Sequence, residues 1–258
     1  MTLLTSSQVD EVQRIVRHAL DVAEVTWNRH STILMASESA RLDSKAKSLQ
    51  TQIPGYPEIE VGEEAVDEFI AIVADMRGST SHLMSSNAPG DTLISGLQRI
   101  YYETSALLPS LGAAIVFSGG SVTEYLGDGV LGLYQVSKPD GDQPIYSAYW
   151  GALLCLDALN EVVNPEIVGR YGLPAIEIGV GLARSMAIVA AVGHPESAHP
   201  KAIGECVWRA TKLSGAGAGA VFVDEQLRRN WPTSDTGKLR FLKQRIADGL
   251  EGYKAMVD

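Results

Sequence analysis

Residues 69–80, FIAIVADMRGST, hold the feature that most restricts the fold. Residues 69–74 form an unbroken apolar run, β-branched at its centre and about one buried strand long. The run stops at an acid, Asp75. Met76, Arg77 and Gly78 then turn the chain, and Ser79 with Thr80 offers the cap of a new helix. A strand that delivers a carboxylate to a Gly-containing turn and a helix start is a good place to hold a metal-bound phosphate. The same residues also read as an ordinary acid in a strand-end turn. Taken alone, the stretch leaves both readings open.

A second acid repeats the pattern. Residues 122–126 and 130–134 are short strand-like runs around Gly127-Asp128-Gly129, a strong hairpin signal that lifts the Asp128 carboxylate clear of a sheet. Asp-Gly is also common turn chemistry, so Asp128 by itself is as well explained by structure. If the hairpin lies beside the first strand, the two carboxylates meet at one edge. Two hard oxygen ligands can there share Mg²⁺ or Mn²⁺ ions, which activate a hydroxyl and steady a leaving pyrophosphate.

The net charge of the 258 residues is 21 − 31 = −10, with no basic run, which argues against a nucleic-acid duplex or an anionic membrane as the main partner. A single nucleotide is not excluded, because a metal neutralises a triphosphate locally. Hydrophobic residues make up 45%, enough for a core. Cys155 and Cys206 form no CxxC and read as buried thiols in helices. With no membrane span and no leader pattern in view, the expected location is cytoplasmic.

The chain divides into residues 1–62, an N-terminal helical extension and linker, and residues 63–258, the main domain. Residues 7–30 carry apolar positions at helical spacing, and residues 52–60, with Pro54, Gly55 and Pro57, read as a break. In the main domain, helices are expected from Thr80, over 91–108 (closed by Pro109), over 145–163, over 205–214 and over 224–231. Strands are expected at 113–117, 175–183, 187–192, 221–223, 239–246 and 250–256, and a loop at 194–200. Helices interleaved with hairpins predict an α+β fold with a mixed sheet.

Residues 69–80 and 121–134 (SVTEYLGDGVLGLY), then 179–193 and 203–223, resemble the class III nucleotidyl cyclase catalytic domain in order and spacing. The resemblance spans roughly residues 66–257 and implies a ferredoxin-like core with flanking helices. It also implies a homodimer with active sites at the interface and two metal ions, Mg²⁺ or Mn²⁺, per site. The ligands implied are Asp75, Asp128 and the backbone carbonyl of Met76. The turn of Arg77, Gly78, Ser79 and Thr80 is implied to hold the β- and γ-phosphates. The reaction implied is attack of the ribose 3′-oxygen on the α-phosphate with loss of pyrophosphate.

The resemblance assigns base reading to Glu124, three residues before Gly127, and to Lys201, three before Gly204. A carboxylate accepts from a ring N–H and an ammonium donates to a carbonyl. Guanine offers N1–H beside O6 and uracil N3–H beside O4, whereas adenine offers neither arrangement. The pair therefore argues against ATP and leaves GTP and UTP open. The family carries Asn where Trp208 stands and Arg where Lys212 stands. Lys212 can neutralise phosphate as a point charge without the guanidinium fork, and Trp208 can stack on a base or pack at an interface.

In length and in its unorthodox base and transition-state positions, the chain resembles the short cyclases of bacterial Pycsar anti-phage systems, whose cyclic pyrimidine nucleotide acts on an effector protein. The expectation is a nucleotidyl cyclase making cyclic UMP from UTP. The alternatives are a guanylate cyclase and a catalytically silent cyclase-homology domain.

Overall fold

A computed structural model describes residues 48–257 apart from 85–95, 137–140, 195, 234–236 and 247–248. The expected helix over 7–30 and the start of the expected helix over 91–108 lie outside the described residues. The described elements run β1 (Ser48–Gln50), β2 (Glu58–Glu60), β3 (Glu64–Met76), α1 (Ser79–Met84), α2 (Gly96–Phe117), β4 (Ser121–Leu126) and β5 (Gly129–Gln135). They continue with α3 (Gln143–Ala158), which passes through a π turn (Leu159–Val163) into α4 (Asn164–Tyr171), then β6 (Ile178–Val192) and β7 (His199–Gly204). Last come α5 (Glu205–Ser214), β8 (Val221–Val223), α6 (Glu225–Arg229), β9 (Leu239–Arg245) and β10 (Glu251–Val257).

Eight strands make one mixed sheet in the order β4-β5-β3-β6-β8-β10-β9, with β7 added alongside β6. Its ladders are antiparallel except β6 with β8, which are parallel. This is the mixed α+β architecture the sequence predicts.

β3 organises the sheet because its alternation serves two cores. Ile70, Ile72, Ala74 and Met76 face α2 and α3, where Leu107, Leu111, Ile115, Ala148 and Cys155 complete the packing. Phe69, Ala71 and Val73 face the other way, onto Cys206, Ala210 and Leu213 of α5. Residues buried on both faces read as one continuous apolar run. Phe69, Ile70 and Ile72 are fully buried, so truncating Ile72 to Ala costs about 2–5 kcal/mol.

α5 lies very close to β6. A Cβ on Gly179 would meet the Ser214 carbonyl at 2.0 Å, and one on Gly181 would meet the Ala210 carbonyl at 2.1 Å. These two glycines form a track on which the helix backbone rests, and they bring its C-terminal end up to the tip of β3.

Four secondary-structure expectations need correction. Residues 113–117 are helical, because Leu107, Leu111, Ala114 and Ile115 keep a helical stripe buried against the sheet. Pro109 sits inside α2 on its exposed side and does not close it. The expected strands at 175–183 and 187–192 are one strand, β6, held through Arg184 and Ser185 by its pairing with β3. The expected loop at 194–200 gives way to strand β7 from His199, which pairs with β6 only and so tolerates Pro200 at an edge.

Residues 48–60 fold as a β1–β2 hairpin whose Ile53 and Ile59 sink into the core with Phe69, Val73 and Leu131. By length and hydropathy Arg99–Phe117 passes the test for a membrane span, contrary to the expectation that no segment would. Its inner side is nonetheless built into the core, and it carries the buried pair Arg99 and Glu103.

Candidate functional site

Asp75 is the last residue of β3 on the α5 face. The ladder sets it opposite Gly129 on one side and Gly179 on the other, so it has no side chain for a neighbour in either direction. A Cβ on Gly129 would meet Asp75 Oδ1 at 2.5 Å. The carboxylate therefore lies across the start of β5, and glycine is needed there.

Asp128 occupies the two-residue turn between Leu126 and Gly129, next to Gly127 at φ +30°. The Met76 N–H donates to the Asp128 carbonyl at 3.2 Å, locking the turn onto the end of β3. The two acids thus share one sheet end. Burial, then the charge of Asp128, pushes the Asp75 carboxyl up to about 6, with Arg77 pulling the other way.

The following turn is well tied. Arg77 N–H donates to the Glu177 carbonyl at 2.8 Å, and its guanidinium reaches the Ser214 carbonyl at 3.5 Å, so Arg77 leans on α5. Gly78 takes φ +71°, a left-handed conformation that favours glycine. Ser79 and Thr80 open α1. The Gly78 carbonyl accepts from Ser81 Oγ and from His82 N–H. His82 Nδ1 lies 2.9 Å from Glu103 Oε2, and Arg99 Nε donates to Glu103 Oε1 at 2.8 Å. With Glu103 and Arg99 buried, this network pins α1, and the turn before it, to α2. It escaped the sequence reading because it joins elements separated by residues 85–95.

The two expected base readers meet. Lys201 Nζ stands 2.5 Å from Glu124 Oε2, with both side chains partly exposed. Two local features arrange this contact. A β-bulge between Val122 and Glu124 shifts the register of β4 against β5, and bulges re-aim the residue that follows them. β7 then carries Lys201 back along β6, opposite Ala190.

Trp208 and Lys212 lie one turn apart on α5, away from the buried positions Cys206, Ala210 and Leu213. Trp208 is 51% exposed and makes no ring contact among the described residues, so it is not a core tryptophan. Arg209 is held by Glu205 at 3.0 Å. Among the described residues, no group of three or more His, Cys, Asp or Glu side chains is arranged as a metal site. The donors at the sheet end are two carboxylates plus main-chain oxygen. That hard, anionic set fits Mg²⁺ or Mn²⁺, and a divalent cation there would relieve the repulsion that raises Asp75.

No family model matches the chain. An adenylate cyclase of Anabaena cylindrica is 25% identical over 198 residues, covering 74% of this chain and 36% of that protein. The chain thus spans about a third of that relative's length. The adenylyl cyclase CyaB from P. aeruginosa superposes with a TM-score of 0.61 at 15% identity, over 76% of this chain and 97% of that one. The guanylyl cyclase Cya2 gives 0.58 at 19%, over 75% and 94%. The guanylate cyclase domain of RhGC from Catenaria anguillulae, solved with GTP, gives 0.55 at 16%, over 76% and 98%. The fold is that of adenylyl and guanylyl cyclase catalytic domains.

Proposed function

We propose that this protein is a nucleotidyl cyclase that converts a nucleoside triphosphate to its 3′,5′-cyclic nucleotide and pyrophosphate. The observation that carries the reading is the Asp75–Asp128 pair, two mutually repelling carboxylates fixed at one sheet end in a fold shared with adenylyl and guanylyl cyclases. Asp75, Asp128 and the Met76 carbonyl would hold the two Mg²⁺ or Mn²⁺ ions. When bound, the ions supply the positive charge that favours an ionised ribose 3′-hydroxyl and a leaving pyrophosphate.

The chain's own residues do the rest. The turn of Gly78, Ser79 and Thr80 presents main-chain N–H groups to the β- and γ-phosphates. Arg77 contributes its charge, while its own N–H stays committed to Glu177. The 3′-oxygen forms its bond to the α-phosphorus as the bond to the bridging oxygen breaks and pyrophosphate departs.

Glu124 and Lys201 read the base. The carboxylate accepts the ring N–H and the ammonium donates to the adjacent carbonyl, which selects uracil or guanine over adenine. Uracil is the preferred reading and guanine the alternative. With UTP the product is cyclic UMP, a second messenger for an effector protein in anti-phage defence. The active unit is a homodimer in which Trp208 and Lys212 of one protomer serve the acid pair of its partner.

A second reading is a silent cyclase-homology domain, favoured by Trp208 and Lys212 standing where the family carries Asn and Arg. Incubating the purified full chain with Mn²⁺ and each of the four nucleoside triphosphates, with products identified by mass spectrometry, separates these readings. Cyclic UMP is expected. Cyclic GMP alone would overturn the uracil assignment, and no cyclic product from any substrate would leave the silent domain.

A further inference from the structure

The Glu124–Lys201 pair lies in a half-open recess. It forms part of a cleft of about 240 Å³ whose walls come from three separate segments: residues 50–53 of the β1–β2 hairpin, residues 123–124 of β4 and residues 199–201 of β7. Pockets for drug-sized ligands measure about 300–1,000 Å³, so this smaller cleft suits a fragment such as a nucleobase and leaves a triphosphate outside. Its charge agrees. Glu124 and Lys201 neutralise one another at 2.5 Å, so the cleft has no net charge to attract phosphate. It does have a donor and an acceptor to offer a neutral, planar, hydrogen-bonding ring.

The hairpin wall is fixed. Ile53 and Ile59 are buried in the core, and Tyr56 packs its ring 6.5 Å from that of Phe69 and donates to Asp67 at 3.2 Å. Most of its polar groups are already used. Gln50 and Ser48 donate to the Glu58 carboxylate. Thr51 Oγ1 accepts from Ile53 N–H at 2.8 Å, and Thr51 N–H donates to the Pro57 carbonyl at 3.0 Å. Gln52 is the exception. It is exposed, lines the cleft, and its carboxamide has no hydrogen-bond partner among the described residues.

We propose that Gln52, from the β1–β2 hairpin, contacts a third group on the base edge beyond the two read by Glu124 and Lys201. The inference rests on the cyclase reading of the same cleft. The chemistry defines the role. In uracil the ring N–H is flanked by a second carbonyl, O2, which needs a donor. In guanine the corresponding neighbour is the N2 amine, which needs an acceptor. A carboxamide offers either end, so Gln52 serves both bases, and a side chain restricted to one role must choose between them.

Gln52→Glu, acceptor only, and Gln52→Lys, donor only, therefore move selectivity in opposite directions. Equilibrium dialysis of the full chain with UTP and with GTP in the presence of Ca²⁺ measures the affinity ratio. Mass-spectrometric product ratios in Mn²⁺ with both substrates present measure the same preference during turnover. Gln52→Glu is expected to shift the UTP:GTP affinity ratio toward GTP and Gln52→Lys toward UTP, each by about tenfold, the scale of one hydrogen bond.

Shifts under about twofold, or in the same direction for both variants, overturn the inference, and cyclic product from the wild type would still uphold the cyclase reading. Opposite shifts in affinity with no cyclic product from the wild type uphold the base-edge role and overturn the enzyme. If the wild type binds neither nucleotide, the base-edge role falls together with the base assignment.

Discussion

The acid pair and the Glu124–Lys201 pair lie on one sheet and pose opposite electrostatic problems. At the tip of β3, Asp75 and Asp128 repel, and the first carboxyl is raised to about 6 by burial and by its neighbour. In the cleft, Glu124 and Lys201 compensate each other at 2.5 Å. The first arrangement leaves negative charge that a cation would offset. The second is balanced as it stands, and its spare donor and acceptor capacity is what it offers a neutral ligand. Charge that is left uncompensated recruits a metal, and charge that is compensated locally selects by shape and hydrogen-bond pattern.

The largest test of this contrast removes the uncompensated charge. Asp75→Ala and Asp128→Ala are each expected to lower cyclic-nucleotide formation by a factor of about 10³ or more while the sedimentation coefficient stays that of the wild type. Wild-type-like activity in either variant would remove the two-metal assignment.

Breaking the compensated pair costs less. Lys201→Ala strands Glu124 in the cleft and takes away the donor to the base carbonyl. A loss of about ten- to a hundredfold in kcat/KM for the preferred triphosphate is expected, carried mainly by KM. An equal loss for every triphosphate would show that Lys201 does not read the base.

A third effect is thermodynamic and concerns the acid pair alone. In the folded protein the Asp75 carboxyl is raised to about 6, above its ordinary value of 3.8. Between these values the folded protein binds more protons than the unfolded chain, so this group's contribution to stability falls as pH rises through the window. Without metal, Asp75→Asn is therefore expected to raise the melting temperature at pH 8, by the equivalent of about 1 kcal/mol after solvent screening of this partly exposed site, and to change little at pH 3.5. Adding Mg²⁺ at pH 8 should stabilise the wild type and leave the Asn variant nearly unaffected. A wild type that Mg²⁺ does not stabilise would argue against a cation at the sheet end.

Much of the fold was legible because the patterns that specify it are local. The apolar run of β3, the Gly-Asp-Gly hairpin, the helix over 205–214 and the strand at 221–223 each carry their own period and turn chemistry. Residues 113–117 were misread because a short apolar run fits a buried strand as well as a buried helix turn, and only the α2 stripe on the sheet decides between them. His199 and Pro200 were misread because prolines signal loops until an edge strand is there to accept them. Asp75 and Asp128 were found as candidates from their turns alone. The hairpin wall around Gln52 was read as a break, because its role depends on Ile53 and Ile59 finding the core.

By itself the sequence determined the two acids, each delivered by a strand end or a tight turn, since a carboxylate's exit from a strand is set by its immediate neighbours. Only the tertiary structure decided that Asp75 lies between two glycines, that Glu124 and Lys201 neutralise each other, and that residues 50–53 close the cleft around them. Those facts depend on strand register, a bulge and backbone packing between segments far apart in the chain. No local period encodes such contacts; they form when the two cores of β3 are buried together.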